Sequence, residues 1–363
     1  MRLKEATGTG SAEANGLPPT QLLERNINRI EGSNLLLLGV PKDSKVVSLF
    51  RRHSGVLLSS DYSAHLLNTQ LVRDSNAALK PVFAAAYAPP EPRHDVVVAY
   101  LQKGNEANDC MLAIAGSVVS TGGSVFLVGD NSAGIRSNKS RLENRVGPIE
   151  FSDSARHCVL YQARSAEPRD AVSLEAWERR FHVPAGNEGI DVITLPGVFS
   201  HGRLDEGTTF LLRHIPSDIR GAVLDFGCGS GVLGATIKSL NPGGDVTLVD
   251  SNAFAIESTQ RTFRANGLAA REIRPVDGLD GIGDQRFDMI ITNPPFHQGI
   301  GTDYTVVARF LQSCERHLNP DGLVLMVANR FLPYERMMPK SLQMSLVAED
   351  TKFKVLKGRL TTR

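Results

Sequence analysis

The sequence lacks long apolar runs. No stretch approaches the roughly 20 consecutive apolar residues that a membrane-spanning helix needs. The beginning of the chain is polar and rich in glycine, alanine and glutamate, and it lacks the apolar core of a signal peptide. We therefore expect a cytoplasmic protein without a membrane-spanning segment.

Cysteine is also scarce. The four cysteines, Cys110, Cys158, Cys228 and Cys314, are far apart and show neither Cys-x-x-Cys nor Cys/His ligand spacing. This spacing argues against a disulfide framework and predicts no metal site. Buried free thiols are the expected state.

The chain carries almost no net charge. Its 40 Lys and Arg residues balance 39 Asp and Glu residues, which leaves a formal charge of +1. Binding of nucleic acid through a basic field over the whole protein is therefore excluded, although a local patch can still bind RNA. Two basic clusters, Arg136–Arg145 and Arg51–His53, are either such patches or ordinary solvated surface.

What the chain does have is enough length for two domains and a strand–helix alternation in its second half. Its 363 residues are 41% hydrophobic and 22% charged, as in ordinary globular proteins. The alternation indicates βαβ units and a mostly parallel sheet. The predicted strands are 222–226, 246–250, 288–292, 323–328 and strands within 347–357, and the predicted helices are 232–240, 253–266 and 306–317.

A glycine-rich turn, Gly227-Cys228-Gly229-Ser230-Gly231, joins the first of these strands to its helix. Glycine allows positive φ and lets a ligand lie against the backbone. Asp250 ends the next strand about 20 residues later, where a carboxylate can accept the ribose hydroxyls of an adenosine. This spacing favours a nucleoside cofactor, either NAD or S-adenosylmethionine, over a turn without a ligand.

The strand 288–292 ends abruptly at Asn293-Pro294-Pro295-Phe296. Two prolines extend neither a helix nor a sheet ladder, so the backbone there is rigid and its carbonyls lack regular partners. The Asn293 carbonyl and the Phe296 ring complete a site suited to a planar group that carries N–H. Asn293, Pro294 and Phe296 are therefore the candidate catalytic residues, for chemistry on an exocyclic amine.

The acidic Asp225, just before the first glycine, decides between the two cofactors. It would repel a pyrophosphate but suits a cationic ammonium or sulfonium group. Together, Asp225, the glycine turn and Asn-Pro-Pro-Phe resemble class I S-adenosylmethionine-dependent methyltransferases that act on amino groups. In such enzymes the residue that ends the third strand binds the adenine amine, and Asp277 fits this position; a turn Asp before Gly278 is the alternative.

The first half of the chain repeats the pattern of the second. Segments 93–99, 122–128 and 157–161 parallel 286–292, 321–327 and 353–357, at a separation of about 195 residues. The first half lacks a Gly-x-Gly-x-Gly turn after its opening strand, 35–40, and has Tyr100-Leu101-Gln102-Lys103 where the second has Asn-Pro-Pro-Phe. We interpret the halves as tandem Rossmann-like domains of which the first is degenerate, although two unrelated α/β domains can share such a pattern.

Four segments make the resemblance closer: Leu195–Ser200, Leu204–Thr208, Asn293–His297 and Val327–Tyr334. They resemble the bacterial ribosomal RNA guanine-N2 methyltransferases, and within them the branch that modifies 16S rRNA of the small subunit. The resemblance implies that Phe199 to Thr208, including Asp205, help cover the cofactor. It also implies the remaining cofactor contacts: Asp225, Gly227, Gly229, Gly231, Asp250, Ser251, Asp277 and Asn293.

These observations predict three segments: a polar extension, 1–25; a degenerate methyltransferase-like domain that positions the RNA, 26–170; and a catalytic domain, 185–363, with a linker within 165–187. The expected substrate is rRNA in the 30S subunit, and the expected state is a monomer. Asn293 and the Pro294 carbonyl would each accept one N–H of the guanine amine, while Phe296 stacks on the base. Three alternatives stay open: a 23S rRNA guanine-N2 enzyme, a methyltransferase of another planar amine, and a non-catalytic RNA-binding module.

Overall fold

The structure is a computed structural model that describes residues 16–360, except 89, 168, 187, 295–300 and 338; for 301–306 it describes the backbone only. The chain forms two compact units that meet in sequence between Trp177 and Glu178. This boundary lies within the segment that the sequence predicts as a linker. Part of that segment, Arg179–Val183, is a β-strand of the second unit.

The first unit contains one sheet of seven strands flanked by helices. Its strands are β1 Asn34–Leu38, β2 Ser54–Ser59, β3 Leu79–Phe83, β4 His94–Tyr100, β5 Val119–Asp130, β6 Ile149–Ala155 and β7 Cys158–Arg164. Its α-helices are α1 Pro18–Arg25, α2 Lys45–Leu49, α3 Tyr62–Ser75, α4 Asn105–Val118 and α5 Lys139–Arg145. The strand order is β3-β2-β1-β4-β5-β7-β6.

The second unit contains a two-stranded sheet and a second seven-stranded sheet. Its strands are β8 Arg179–Val183, β9 Ile190–Thr194, β10 Ala222–Phe226, β11 Asp245–Asp250, β12 Glu272–Pro275, β13 Phe287–Thr292, β14 Leu318–Asn329, β15 Leu342–Glu349 and β16 Phe353–Leu360. Its α-helices are α6 Glu206–Leu212, α7 Val232–Leu240, α8 Ala253–Ala265 and α9 Gly301–Ser313. The order of the large sheet, β12-β11-β10-β13-β14-β16-β15, repeats that of the first unit.

The two large sheets also share their strand directions. In each, the first five strands in this order run parallel and the last two pair antiparallel, so the fold is the expected pair of tandem Rossmann-like α/β units. The central strands are continuous apolar runs, as expected for parallel strands covered on both faces. Leu35–Leu38 in β1 and Ile290–Ile291 in β13 are buried at the centres of the two cores.

Several element bounds differ from the sequence predictions, among them the start of α9 at Gly301 rather than at 306. Two of the differences have a reason in the local sequence. β14 begins at Leu318, well before the predicted 323, and bulges over the polar residues 319–322, which interrupt its apolar pattern. α1 lies within the segment expected to be a polar extension. It starts at two prolines, which favour the first turn of a helix, and it buries Leu22 and Leu23 in the core of the first unit.

Within the described part of the chain, no helix is both long enough and apolar enough to cross a bilayer.

Candidate active site

Four adjacent strands of the second unit end at the same edge of the sheet. Asp277 lies just after β12, Asp250 is the last residue of β11 and precedes Ser251, the glycine turn follows β10, and Asn293 follows β13. The carboxyl ends of parallel strands are where α/β proteins bind ligands. The sheet order therefore brings the candidate residues together, although they come from distant parts of the sequence.

The glycine turn leaves open space above its backbone. Gly227, Gly229 and Gly231 have φ of +72°, +57° and +78°. A Cβ added at Gly227 or Gly229 would meet no atom of the described residues within 4 Å, whereas one at Gly231 would lie 3.0 Å from Thr259 Cγ2. The first two glycines thus border the space that a ligand would occupy, and the third allows helix α8 to pack closely.

Asp250 connects the glycine turn to the start of α8. One carboxylate oxygen accepts from Gly229 N–H at 2.9 Å, and the other accepts from Asn252 N–H at 2.9 Å. Asn252 in turn caps α8 by accepting from Phe254 N–H at 2.9 Å. The carboxylate is therefore held rigidly beside the open turn, next to Ser251.

Asp225 lies beneath the turn rather than on its surface. Its side chain is 1% exposed, and Oδ2 accepts from Gly234 N–H at 2.9 Å, in the first turn of α7. Oδ1 is buried and finds no hydrogen-bond partner in the part of the chain that the structure describes. Burial, helped by the nearby Asp250 charge, raises the pKa of Asp225 to about 7. Contact of Asp225 with a cofactor remains a prediction.

Two further candidates flank this edge. Asp277 follows Val276, whose N–H donates to Asp250 C=O at 3.0 Å and so joins the ends of β12 and β11. Phe199 lies in the segment that leads from β9 to α6 and is 52% exposed. This segment is bound to the same edge, because Asn252 Nδ2 donates to Gly197 C=O at 3.3 Å.

Asn293 is held by the start of α6. Its Nδ2 donates to Asp205 Oδ2 at 3.0 Å and to Thr208 Oγ1 at 2.7 Å. Its Oδ1 is buried and has no hydrogen-bond partner among the described residues. A buried acceptor without a donor is costly in a folded protein, so it indicates a site where a ligand supplies the donor.

Two other members of the motif are less fully defined by the structure. Pro294 is buried directly after Asn293. Phe296 lies outside the described residues, so its stacking role remains a prediction. Among the residues described, no group of three or more His, Cys, Asp or Glu side chains could hold a metal ion.

The arginines of the basic cluster Arg136–Arg145 differ in their hydrogen-bond partners. Arg145 forms two hydrogen bonds with the Asp109 carboxylate, at 2.8 and 2.7 Å, and lies over the Trp177 ring, so it has a structural role. Among the described residues, Arg136 and Arg141 instead bond to neighbouring loop and helix oxygens, Arg136 to Asn131 Oδ1 at 3.0 Å. These two arginines are the better candidates for RNA contact.

The same edge of the first unit is filled. Gln102 Nε2 donates to Gly39 C=O at 3.0 Å and to Tyr100 C=O at 2.8 Å. Gly39 corresponds to Gly227, because β1 and β4 pair in the same register as β10 and β13. The Gln102 carboxamide thus occupies the space that is open above Gly227, which supports the interpretation of the first unit as degenerate.

Two family profiles cover most of the chain. The profile described as Methyltransferase small domain matches residues 189–357, and Methyltransferase small domain N-terminal matches 20–181. The ribosomal RNA small subunit methyltransferase C of Pseudomonas aeruginosa (strain LESB58) is 40% identical over 72% of this chain and 78% of its own length. The enzyme of the same name from Psychromonas ingrahamii is 32% identical over 93% of this chain and 95% of its own length.

The chain belongs to the ribosomal RNA small subunit methyltransferase C family. It is therefore an S-adenosylmethionine-dependent rRNA methyltransferase, which confirms the predicted enzyme class and cofactor. A solved structure shares the fold over both units: the T. thermophilus 16S rRNA N2 methyltransferase RsmC, in complex with AdoMet and guanosine. It has a TM-score of 0.80 and 24% identity, and the match covers 95% of this chain and 92% of that one. Family membership excludes the alternative of a non-catalytic module for the whole chain.

Sequence reasoning missed the contact between Asp205 and Asn293. It assigned Asp205 and Thr208 to the cofactor, which stays a prediction, and it did not foresee that both side chains bind Asn293. Asp205 is the N-cap of α6 and accepts from Thr208 N–H at 2.8 Å. The Asp-x-x-Thr spacing is a recognisable N-cap signal, but nothing in a single sequence says which distant side chain such a cap also binds.

Proposed function

We propose that this protein transfers a methyl group from S-adenosylmethionine to the exocyclic N2 amine of a guanine in 16S rRNA, within the small ribosomal subunit. The buried Oδ1 of Asn293, which has no partner within the described part of the chain, carries this proposal, since an amine N–H can supply the missing donor. The names of the relatives favour the small subunit over the large one. The similar solved structure is that of an N2 methyltransferase of 16S rRNA with guanosine bound, which favours guanine N2 chemistry.

The second unit fits the cofactor. The open backbone at Gly227 and Gly229 lets a ligand lie against the turn, and the Asp250 carboxylate beside it can accept ribose hydroxyls. We propose that Gly231, Ser251, Asp277 and Phe199 complete the binding site, with Asp225 below the turn. When bound, S-adenosylmethionine supplies an electrophilic methyl group on a sulfonium centre.

The proposed mechanism depends on orientation rather than on a strong base. The lone pair of the guanine amine is delocalised into the ring, which makes the amine a poor nucleophile. Asn293 Oδ1 and the Pro294 carbonyl can each accept one N–H, and this makes the nitrogen pyramidal and aims its lone pair at the methyl group. Most of the acceleration then comes from positioning and from electrostatics in a closed site.

The target base must leave its helix to reach this site. We propose that Phe296 stacks on the extruded base, an interaction worth about 1–3 kcal/mol per base. The first unit would position the RNA, with Arg136 and Arg141 as candidate phosphate contacts. We further propose that the enzyme acts as a monomer without a metal. Because its substrate is the ribosomal subunit, we expect it in the cytoplasm.

A methyl-transfer assay tests this function. The full chain is incubated with tritiated S-adenosylmethionine and, separately, with 30S particles, naked 16S rRNA and 50S particles from cells lacking this methylation. We expect label in 16S rRNA, recovered as N2-methylguanosine after nuclease digestion. Label in 50S particles alone would transfer the assignment to the large subunit, and a different methylated nucleoside would overturn the guanine N2 assignment.

A further inference from the structure

We infer that Asp205 is a positioning residue that determines which atom of the Asn293 carboxamide faces the substrate. The inference rests on the proposed function, because it explains how Asn293 presents an acceptor to an amine. It changes the role expected for Asp205 and Thr208 from binding the cofactor to orienting Asn293.

The hydrogen bonds at Asp205 fix the direction of the amide. Asp205 Oδ2 accepts from Thr208 N–H at 2.8 Å, from the Thr208 hydroxyl at 3.3 Å and from Asn293 Nδ2 at 3.0 Å. A carboxylate oxygen can only accept, so it binds the NH₂ group of Asn293 and not the carbonyl. The Thr208 hydroxyl gives its proton to Asp205, and its oxygen therefore accepts the second N–H of Asn293, at 2.7 Å.

This arrangement leaves one orientation of Asn293 without conflict. Both Nδ2 protons are bound, and Oδ1 is the atom left for the substrate. The opposite orientation would set the carbonyl of Asn293 against the Asp205 carboxylate and turn an NH₂ group toward the substrate amine, where two donors would meet. Asp205 thereby selects a substrate group that donates N–H over one that only accepts.

The helix that carries Asp205 is itself well anchored. Asp205 caps α6, and the next residue, Glu206, pairs with Lys352 Nζ at 2.7 Å. α6 also packs against β14 and β16 of the same unit. The Asp205 carboxylate therefore has a defined position from which it can orient the Asn293 carboxamide.

The first unit supports the pairing of these two residues. Thr20 is the third residue of α1, as Thr208 is of α6, and its hydroxyl lies 3.3 Å from the Tyr100 hydroxyl. Tyr100 occupies the position of Asn293, and Leu17 the cap position of Asp205. The threonine is present in both units, whereas the carboxylate is present only in the unit that has the amide to orient.

The test uses Asp205→Ser and Asp205→Asn in the full chain with the 30S substrate. Serine keeps an N-cap acceptor for Thr208 N–H but is too short to reach Asn293, so we expect kcat to fall about 10- to 100-fold, the range of a lost charge-assisted hydrogen bond. The affinity for S-adenosylhomocysteine, measured by calorimetry, should stay unchanged. Asparagine keeps the size and an acceptor but removes the charge, so its loss of kcat should be smaller.

A double-mutant cycle separates positioning from a general structural effect. In an Asn293→Ala background, Asp205→Ser should cause no further loss in single-turnover rate, because the group on which it acts is gone. Asp61→Ser is the matched control, since Asp61 caps α3 of the first unit by accepting from Ala64 N–H at 2.8 Å. It should leave kcat and cofactor affinity at their wild-type values.

Several outcomes would overturn the inference. They are an unchanged kcat in Asp205→Ser, a loss of S-adenosylhomocysteine affinity as large as the loss of kcat, or a double variant whose rate loss is the product of the losses of Asp205→Ser and Asn293→Ala. The proposed function fails separately, if the wild-type chain labels another nucleoside. In that case the ratio of Asp205→Ser to wild type, measured on the group actually methylated, still decides whether Asp205 orients Asn293.

Discussion

The two units have the same sheet but different residues where its parallel strands end. Leu37 occupies the position of Asp225, Ser59 that of Asp250 and Tyr100 that of Asn293, as the matching strand registers show. Leu37 and Tyr100 are buried and serve the core of the first unit. The difference teaches that the sheet does not require polar residues at this edge, which fits the chemical role that we propose for those of the second unit.

The glycines at the two edges sharpen this comparison. Gly39 and Gly227 have similar φ, +63° and +72°, so the turn itself is common to both units. Among the described residues, a Cβ at Gly227 would meet no atom within 4 Å, whereas one at Gly39 would collide with the Gln102 carboxamide and lie 3.1 Å from the Tyr100 carbonyl oxygen. The same backbone conformation thus borders the proposed cofactor site in one unit and a packed interior in the other.

Replacing Asn293 with alanine should have the largest effect. We expect methyl transfer to fall by about 10³-fold or more, because the acceptor for the amine is lost while the cofactor contacts stay. Tritium incorporation and calorimetry with S-adenosylhomocysteine measure the two properties. Tyr100→Phe is the control at the matching position of the first unit and should leave both at wild-type values; equal loss of activity and cofactor affinity in Asn293→Ala would contradict the catalytic assignment.

Replacing Asp250 with alanine should weaken cofactor binding first. We expect the Kd for S-adenosylhomocysteine to rise about 10- to 100-fold, because a charged acceptor beside the turn is removed. Asp61→Ala, which removes the cap of α3 in the first unit, should lower the melting temperature without changing this Kd. Unchanged cofactor affinity in Asp250→Ala would remove Asp250 from the binding site.

The matched substitutions Gly39→Ala and Gly227→Ala should have the smallest effects. The first should mainly lower stability, and the second should mainly weaken cofactor binding. Both cost about 1 kcal/mol for positive φ. Gly39→Ala must also displace Gln102, so it should lower the free energy of unfolding further, with wild-type cofactor affinity. Gly227→Ala should weaken S-adenosylhomocysteine binding with the smaller loss of stability. Urea denaturation and calorimetry measure both; the reverse pattern would show that the turn at Gly39, not Gly227, borders the ligand.

Much of the fold was predictable because parallel strands leave a clear pattern. The predicted bounds of β10 and α7 match those observed, since Gly221 and the glycine turn punctuate the apolar run on both sides. The start of β14 was missed because its polar bulge breaks the run of apolar residues. α1 was missed because its polar face and two prolines gave the segment the composition of an extension, while only Thr20, Leu22 and Leu23 are buried.

Which residues form the candidate site was easier to predict than which contacts these residues make. The glycines, Asp250 and Asn293 follow strand ends, and the order of parallel strands then brings them to one edge. That Asp225 faces Gly234 beneath the turn, and that Asp205 faces Asn293, are outcomes of three-dimensional packing between distant segments. Local patterns give the type of a side chain but not the partner that it meets.

The bulge at the start of β14 has a counterpart in β5. The pairing of β13 with β14 shifts between Phe287 and Met289, and that of β4 with β5 shifts at the equivalent residues, His94 and Val96. Neither the sheet order nor the chemistry at the opposite end of the strands requires this irregularity. Its recurrence at one position in both units is therefore explained most simply if the two units are copies of one domain, as the repeated sequence pattern predicts.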